Sequence, residues 1–134
     1  MSGTIRGLPY LFVYGTLRRA AGTEWSGILT AASTLLGMGR TRGTLFQLEG
    51  YPGMTAGSDG DAWVSGEVDL LHDPSALLAS LDAYEGAEFE RQVVTVLLDN
   101  GQIVKAWAYV YTRETKGRAR IASGDYLAPG NARF

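Results

Sequence analysis

The sequence contains no cysteine and only one histidine, His72. The absence of cysteine excludes disulfide bonds, catalysis by a thiol and metal sites built on thiolates. A single histidine likewise excludes a metal centre that needs several imidazole ligands. His72 directly precedes Asp73 and Pro74, a pair that favours the first turn of a helix, so we predict no catalytic role for it.

The net charge is also small, and long apolar runs are absent from the sequence. The net charge is −2 and the isoelectric point is near 5.3, so no basic field attracts nucleic acid and we predict no nucleic-acid partner. No apolar run approaches the length of a membrane span. The N-terminal stretch lacks the charged-then-apolar order of a signal peptide. We therefore expect a cytoplasmic protein without a membrane partner.

The length and the hydrophobic content of the chain are sufficient for one folded domain. The chain has 134 residues, of which 46% are hydrophobic, so we predict a single domain with a core of its own over residues 1–134. Many short β-rich runs and one clear helix predict an α+β fold. The glycine-rich bends of residues 33–48 favour a sheet that curves sharply and closes on itself.

The first distinctive stretch is residues 11–18. It begins as an apolar, aromatic and β-branched run, which predicts a buried strand, and it breaks at Gly15. A glycine after a strand lets the backbone turn and lets a ligand approach closely. Thr16 adds a hydroxyl beside backbone N–H groups that leave the strand without a partner. On the residues alone, an ordinary strand followed by a tight turn is the simpler interpretation.

The second distinctive stretch is the predicted helix that follows Pro74. Leu77, Leu81 and Tyr84 have helical spacing and share one face, and Glu85 follows them just before Gly86, a natural helix end. The negative end of the helix dipole and partial burial would both disfavour a charged carboxylate there, which makes Glu85 a stronger base. A solvated glutamate in the last turn is the alternative, and the residues alone favour it.

Two further runs predict strands. Residues 33–48 alternate imperfectly and are interrupted by glycines, so we predict two short strands with a bend between them. Residues 62–70 alternate cleanly and predict one strand. Glu67 and Asp69 fall on its polar face, and we expect the Glu67 side chain to point outward.

A hairpin and an arginine pair complete the pattern. Asn100-Gly101 separates two β-branched and aromatic runs, residues 89–98 and 103–111, and this dipeptide between such runs predicts a β-hairpin. Arg18 and Arg19 follow the first strand. They have the charge to attract a substrate carboxylate, but adjacent arginines are more often simply solvated, and we expect that here.

Several short motifs, in the order in which they occur, resemble the gamma-glutamylcyclotransferase-like superfamily, closest to its gamma-glutamylamine cyclotransferase type. The two main ones are Tyr14-Gly15-Thr16-Leu17 after the first strand and Leu81-Asp82-Ala83-Tyr84-Glu85-Gly86 at mid-chain. Weaker matches occur at residues 48–54, 64–68 and 123–126. The resemblance covers nearly the whole chain, and it implies a small mixed β-barrel flanked by a few helices.

The resemblance also implies a reaction. The α-amine of a gamma-glutamyl amide attacks the side-chain carbonyl of the same molecule, which releases 5-oxoproline and a free amine. In that reading Glu85 is the catalytic base, backbone amides around Gly15, Thr16 and Leu17 stabilise the oxyanion, and Tyr14 shapes the pocket. A small gamma-glutamyl substrate is then the partner, and no metal or cofactor is required.

The segment after Glu85 raises a question about the leaving group. Glu88 and Glu90 add negative charge near the expected site, which favours an amine-bearing leaving group over an anionic one. Two other functions fit the same motifs. One is a non-catalytic module that binds a small amide or carboxylate, and the other is a cyclotransferase that removes a gamma-glutamyl protecting group in secondary metabolism.

Overall fold

Strand β1 (Tyr10–Val13) is buried on both faces, which explains its unbroken apolar sequence. In the computed structural model, which describes residues 8–57 and 62–127, alternate residues of this region enter two different cores. Phe12 and Tyr14 pack in one cluster, whereas Leu11 and Val13 pack in another. The strand therefore separates two layers of the molecule.

The remaining elements follow in chain order. A 3₁₀ helix (Arg19–Ala21) and helix α1 (Glu24–Ala31) connect β1 to the long strand β2 (Ser33–Gln47). Then come β3 (Pro52–Ala56), β4 (Trp63–Leu71), helix α2 (Pro74–Glu85), β5 (Phe89–Leu98), β6 (Ile103–Tyr111) and β7 (Ala119–Arg120). The predicted hairpin is confirmed, and Gly101 at its turn has a φ of 93°.

Five strands close into a mixed β-barrel. β4 pairs antiparallel with both β1 and β2, β2 pairs antiparallel with β3, and β6 pairs parallel with both β3 and β1. β5 extends the sheet beyond β6 and also contacts β2, and β7 pairs with β2. The expected α+β fold with a small mixed barrel and flanking helices is confirmed.

The prediction for residues 33–48 is wrong in one respect. They form the single strand β2 rather than two, and the interruption is a bulge between Leu35 and Gly37. Strand β2 continues through Gly43. Glycine is needed at this position for close packing against β3, because a Cβ there would lie 2.5 Å from the Thr55 carbonyl oxygen.

The two helices cover the second core cluster. It contains Leu29 of α1, Leu78 and Leu81 of α2, and Tyr109 of β6, together with residues of β1. Helix α2 begins as predicted, because the Asp73 side chain caps it and Pro74 occupies its first turn. No helix in the described part of the chain is long and apolar enough to cross a membrane.

Candidate active site

The chain turns sharply as it leaves β1. The Arg18 N–H donates to the Gly15 carbonyl oxygen at 3.0 Å, which places Thr16 and Leu17 at the centre of a turn. Gly15 does not have a positive φ, so its role is not the unusual backbone conformation that a glycine permits. A Cβ at this position would lie 2.5 Å from Pro52 Cγ, so glycine is required by the close approach of β3. We call residues 14–18 the cavity loop.

Three consecutive backbone N–H groups of the cavity loop have no internal acceptor. Among the hydrogen bonds of the described residues, the N–H groups of Gly15, Thr16 and Leu17 donate none. The Thr16 carbonyl does have a partner, because it accepts from the Thr23 hydroxyl at 2.7 Å. The loop is thus held through its oxygens while its N–H groups stay available to a ligand.

Tyr14 begins the cavity loop and is fixed by two backbone hydrogen bonds. Its hydroxyl donates to the Tyr109 carbonyl oxygen at 2.7 Å and accepts from the Met54 N–H at 3.1 Å. Burial raises the pKa of Tyr14, and the Glu85 charge adds to this shift. Tyr14 therefore joins β1 to β3 and β6, and its hydroxyl is already engaged.

Helix α2 carries Glu85 to the cavity. The helix ends there, and Gly86 follows with a φ of 80°. Leu78 and Leu81 are the buried residues of α2, whereas Tyr84 is 45% exposed. The Tyr84 ring packs on the Trp25 ring, with 4.8 Å between the two ring centroids. The predicted apolar face is therefore wrong at Tyr84, which lies at the cavity mouth and not in the core.

The Glu85 carboxylate is partly buried and has no protein partner. Within the described ranges, no hydrogen bond or ion pair to this group is present. Burial alone raises the pKa of Glu85 from 4.5 to about 7. A carboxylate that loses hydration without gaining a donor is a stronger base than an exposed glutamate, as its position at the helix end predicts.

One cavity of about 470 Å³ brings the two predicted motifs together. The five predicted site residues all line it, although they lie far apart in the chain: Tyr14, Gly15, Thr16, Leu17 and Glu85. Its walls are completed by residues of β1, of the N-cap of α1, of the start of β3 and the turn that leads into it, of α2 with the segment after it, and of β5 and β6. These further residues are Phe12, Val13, Thr23, Gly50, Tyr51, Pro52, Tyr84, Glu88, Phe89 and Tyr109.

The two other acidic residues of the segment after α2 lie in different places. Glu88 lines the cavity and accepts from the Tyr51 hydroxyl at 3.1 Å. Glu90 does not line the cavity, and its carboxylate accepts from the Gln92 side chain. The expectation of added acidity therefore applies to Glu88 and is wrong for Glu90.

Asp82, the third acidic residue near the end of α2, does not line the cavity. It accepts two hydrogen bonds from Arg91, at 2.8 and 3.1 Å, and one from the Tyr109 hydroxyl at 2.7 Å. Burial acts to raise the pKa of Asp82, but these donors outweigh it and hold the pKa below its ordinary value. This network ties α2 to β5 and β6, the strands behind Glu85.

The structure corrects the expectations for the arginine pair and for Glu67. Arg18 is buried and pairs with Asp125 at 2.6 Å. The guanidinium of Arg19 lies 3.4 Å from Glu67 and 3.2 Å from Asp69, both of which are buried. Arg18 is therefore not solvated, whereas the Arg19 side chain is paired and still 27% exposed. Neither arginine lines the cavity, so neither is placed there to receive a substrate carboxylate. Glu67 lies on the face of β4 opposite Val64 and Val68, as its alternation predicts, but it is buried and does not meet solvent, because the 3₁₀ helix covers that face.

Several residues that line the cavity have no role that the sequence predicts. Tyr51 comes from the turn before β3, Pro52 is the first residue of β3, Phe89 belongs to β5 and Tyr109 to β6. The first two lie within a stretch that matches the family, residues 48–54, which was their only signal. Tyr109 reaches the site because β6 pairs with β1, which no local pattern in the sequence indicates.

This geometry agrees with comparisons to known proteins. The family model described as gamma-glutamyl cyclotransferase, AIG2-like, matches residues 11–128. The chain belongs to this family. Membership of the gamma-glutamyl cyclotransferase family supports a cyclotransferase activity, and the matched residues include both the cavity loop and Glu85.

Relatives and solved structures of the family are similar over most of this chain. The gamma-glutamylcyclotransferase family protein YtfP of Escherichia coli K12 is 36% identical over 120 residues, which are 87% of this chain and 95% of that protein. The crystal structure of YkqA from Bacillus subtilis aligns with a TM-score of 0.71 and 28% identity, over 89% of this chain and 39% of that one. An AIG2-like protein from mouse has the same fold, with a TM-score of 0.66, 19% identity and coverage of 93% and 99%.

Proposed function

We propose that this protein is a cofactor-independent cyclotransferase that converts a gamma-glutamyl amide into 5-oxoproline and a free amine. The observation that carries the proposal is the meeting of two features in one cavity: a partnerless carboxylate at Glu85 and a row of free backbone N–H groups at residues 15–17. The first is the base that such a reaction needs, and the second is the donor set.

The proton transfer follows from the state of Glu85. The α-ammonium of the substrate must lose a proton before its nitrogen can attack, and the ionised Glu85 carboxylate accepts that proton. The amine then attacks the side-chain carbonyl carbon of the same molecule, so proximity is already supplied by the substrate. Glu85 next gives the proton to the leaving nitrogen and the carbon–nitrogen bond breaks. The ring nitrogen, which still carries two hydrogens, loses its second proton to the released amine, so the products are the neutral lactam and an ammonium ion, and the carboxylate is regenerated.

The developing oxyanion needs donors that are already in place. The N–H groups of Gly15, Thr16 and Leu17 meet this need because no acceptor among residues 8–57 and 62–127 competes for them. Pro52 packs against Gly15 and limits the movement of the loop. A donor set held in this way loses little free energy to reorganisation as the charge forms.

The charge of the cavity favours a cationic leaving group. Glu85 and Glu88 are the only carboxylates that line the cavity within the described residues, and no arginine, lysine or histidine joins them there. Glu88 lies with Tyr51 on the side formed by the β3 turn and the segment after α2. An amine on the leaving group would be attracted to Glu88, whereas a carboxylate would be repelled.

The proposal is tested by 5-oxoproline release from a panel of gamma-glutamyl amines and dipeptides, with Glu85→Gln beside the wild type. We expect release by the wild type and a loss of about 100- to 10,000-fold in the variant. Release by both proteins alike would reject Glu85 as the base. A ligand that binds both proteins equally, with no release by either, would favour a binding module.

The leaving-group preference has its own matched test. Gamma-glutamyl-putrescine and gamma-glutamyl-pentylamide have nearly the same shape and differ in one terminal positive charge. We expect a higher kcat/KM for the putrescine compound, and we expect Glu88→Gln to reduce that preference by several-fold. Faster release of 5-oxoproline from gamma-glutamyl-alanine than from gamma-glutamyl-lysine, in which the gamma-glutamyl group is joined to the lysine side chain, would overturn this part of the proposal.

A further inference from the structure

A buried cluster outside the cavity carries more negative than positive charge. Glu67 is 3% exposed and Asp69 is fully buried, yet the single guanidinium of Arg19 serves both carboxylates. Burial, and then the charge of Glu67, raises the pKa of Asp69 to about 7, which is the expected response when two acids share one cation. Such a cluster costs stability, so its placement calls for a reason beyond packing.

The cluster meets the cavity loop at both of its ends. Glu67 lies opposite Val13, the last residue of β1, in the β1–β4 register. Its Oε1 also accepts from the Arg19 N–H at 3.1 Å, immediately after the loop. Glu67 is thus paired through its backbone strand with the residue before the loop, and it is hydrogen-bonded through its carboxylate to the residue after the loop.

The side chain of Arg19 strengthens this attachment. Its Nη2 donates to Asp69 Oδ1 at 3.2 Å and to the Ser33 hydroxyl at 3.1 Å, which connects the 3₁₀ helix to the beginning of β2. Arg18 is held from another direction by Asp125. The N–H groups of Gly15, Thr16 and Leu17 lie between these attachments, and none of them donates a hydrogen bond to the part of the chain that the structure describes.

We propose that Glu67 is a positioning residue for the active site, acting through its hydrogen bond to the Arg19 N–H to hold the cavity loop in the shape that presents its three amides. Its part in catalysis rests on the proposed function, but its part in loop geometry does not. The reach of the side chain matters more than its charge, because a neutral amide oxygen at the same place accepts the same hydrogen bond.

Two substitutions of Glu67 separate the length of its side chain from its charge. Glu67→Gln keeps the length and the acceptor and removes the charge, and its amide N–H can donate to Asp69. Glu67→Asp keeps the charge but is one methylene shorter and cannot hold both positions. Val96→Ala, a core truncation toward the far end of β5 from Phe89, is the control for lost stability. The readouts are the ¹⁵N–¹H signals of residues 15–17 and the kinetics of 5-oxoproline release.

We expect Glu67→Asp to move the three amide signals and to lower kcat/KM by about ten- to a hundredfold. Glu67→Gln should keep both near the wild-type values, and Val96→Ala should leave the three signals in place. Unmoved signals in Glu67→Asp, or equal changes in all three variants, would overturn the positioning role. If the wild type releases no 5-oxoproline, the proposed function fails, while the amide signals still decide the role of Glu67.

Discussion

Two acidic regions of this molecule are both removed from water, and they differ in what surrounds the carboxylates. Glu67 and Asp69 lie deep in the structure and share the Arg19 guanidinium, and Glu67 also accepts a hydrogen bond from the Arg19 backbone N–H. Glu85 is less buried, yet no donor reaches it from the described residues. A carboxylate with donors serves the structure, and one without them is available for a proton. Depth of burial therefore does not separate the two roles, whereas the presence of partners does.

The largest expected effect is on turnover, and it contrasts these two regions directly. Neutralising Glu85 by Glu85→Gln should lower kcat by about 100- to 10,000-fold, because the base is lost. Neutralising Glu67 by Glu67→Gln should change kcat by less than about threefold, because its acceptor is kept. Parallel assays of 5-oxoproline release check this. Equal losses in the two variants would mean that partners do not distinguish the regions.

The next effect is on stability and its dependence on pH. The folded protein holds a proton on Glu85 more tightly than the unfolded chain does, because its pKa is raised from 4.5 to about 7. The free energy of unfolding therefore falls as the pH rises from 4.5 to about 7. The decrease is roughly 2 kcal/mol after allowance for the partial exposure of Glu85. Glu85→Gln should remove this loss and be more stable than the wild type at pH 8.

Urea unfolding of both proteins at pH 5 and pH 8 makes this measurement. Asp69 contributes in the same direction, since its pKa is also raised to about 7. Glu67→Gln should reduce that share, because it removes the neighbouring charge. A Glu85→Gln variant that loses as much stability between the two pH values as the wild type would contradict the assignment.

The parts of this structure that depend on neighbouring residues were predictable from the sequence. Asn100-Gly101 makes a hairpin through its own backbone preferences, and Asp73 with Pro74 begins a helix by local capping. Glu85 could be proposed from its position at the helix end and from the family's motif. These features need no knowledge of distant parts of the chain.

The features that were missed depend on what covers a surface. The alternation of β4 shows that Glu67 and Asp69 share a face, but it is the same whether that face meets water or the 3₁₀ helix. Whether Gly43 breaks a strand or permits close packing depends on Thr55, which approaches only once β3 is paired. Such information is tertiary and leaves no local pattern in the sequence.

The smallest expected effect concerns a third buried polar group, the Tyr14 hydroxyl. It has both a donor and an acceptor, so it belongs with the partnered region although it lies beside Glu85. Tyr14→Phe should cost about 1–2 kcal/mol of stability, because the Met54 N–H and the Tyr109 carbonyl lose their partner. It should leave kcat within about tenfold. Urea unfolding and release assays check both values, and a loss of turnover as large as that of Glu85→Gln would give Tyr14 a direct chemical role.

The central claim, that a partnerless Glu85 is the base, is tested most directly by the pH dependence of kcat/KM for 5-oxoproline release. The base must be ionised in the free enzyme, so activity should rise with pH. We expect the midpoint of this rise near the raised pKa of Glu85, about 7. The residual activity of Glu85→Gln should lack this rise. A wild-type profile that is flat or falling between pH 5 and pH 8, or an identical rise in the variant, would contradict the account.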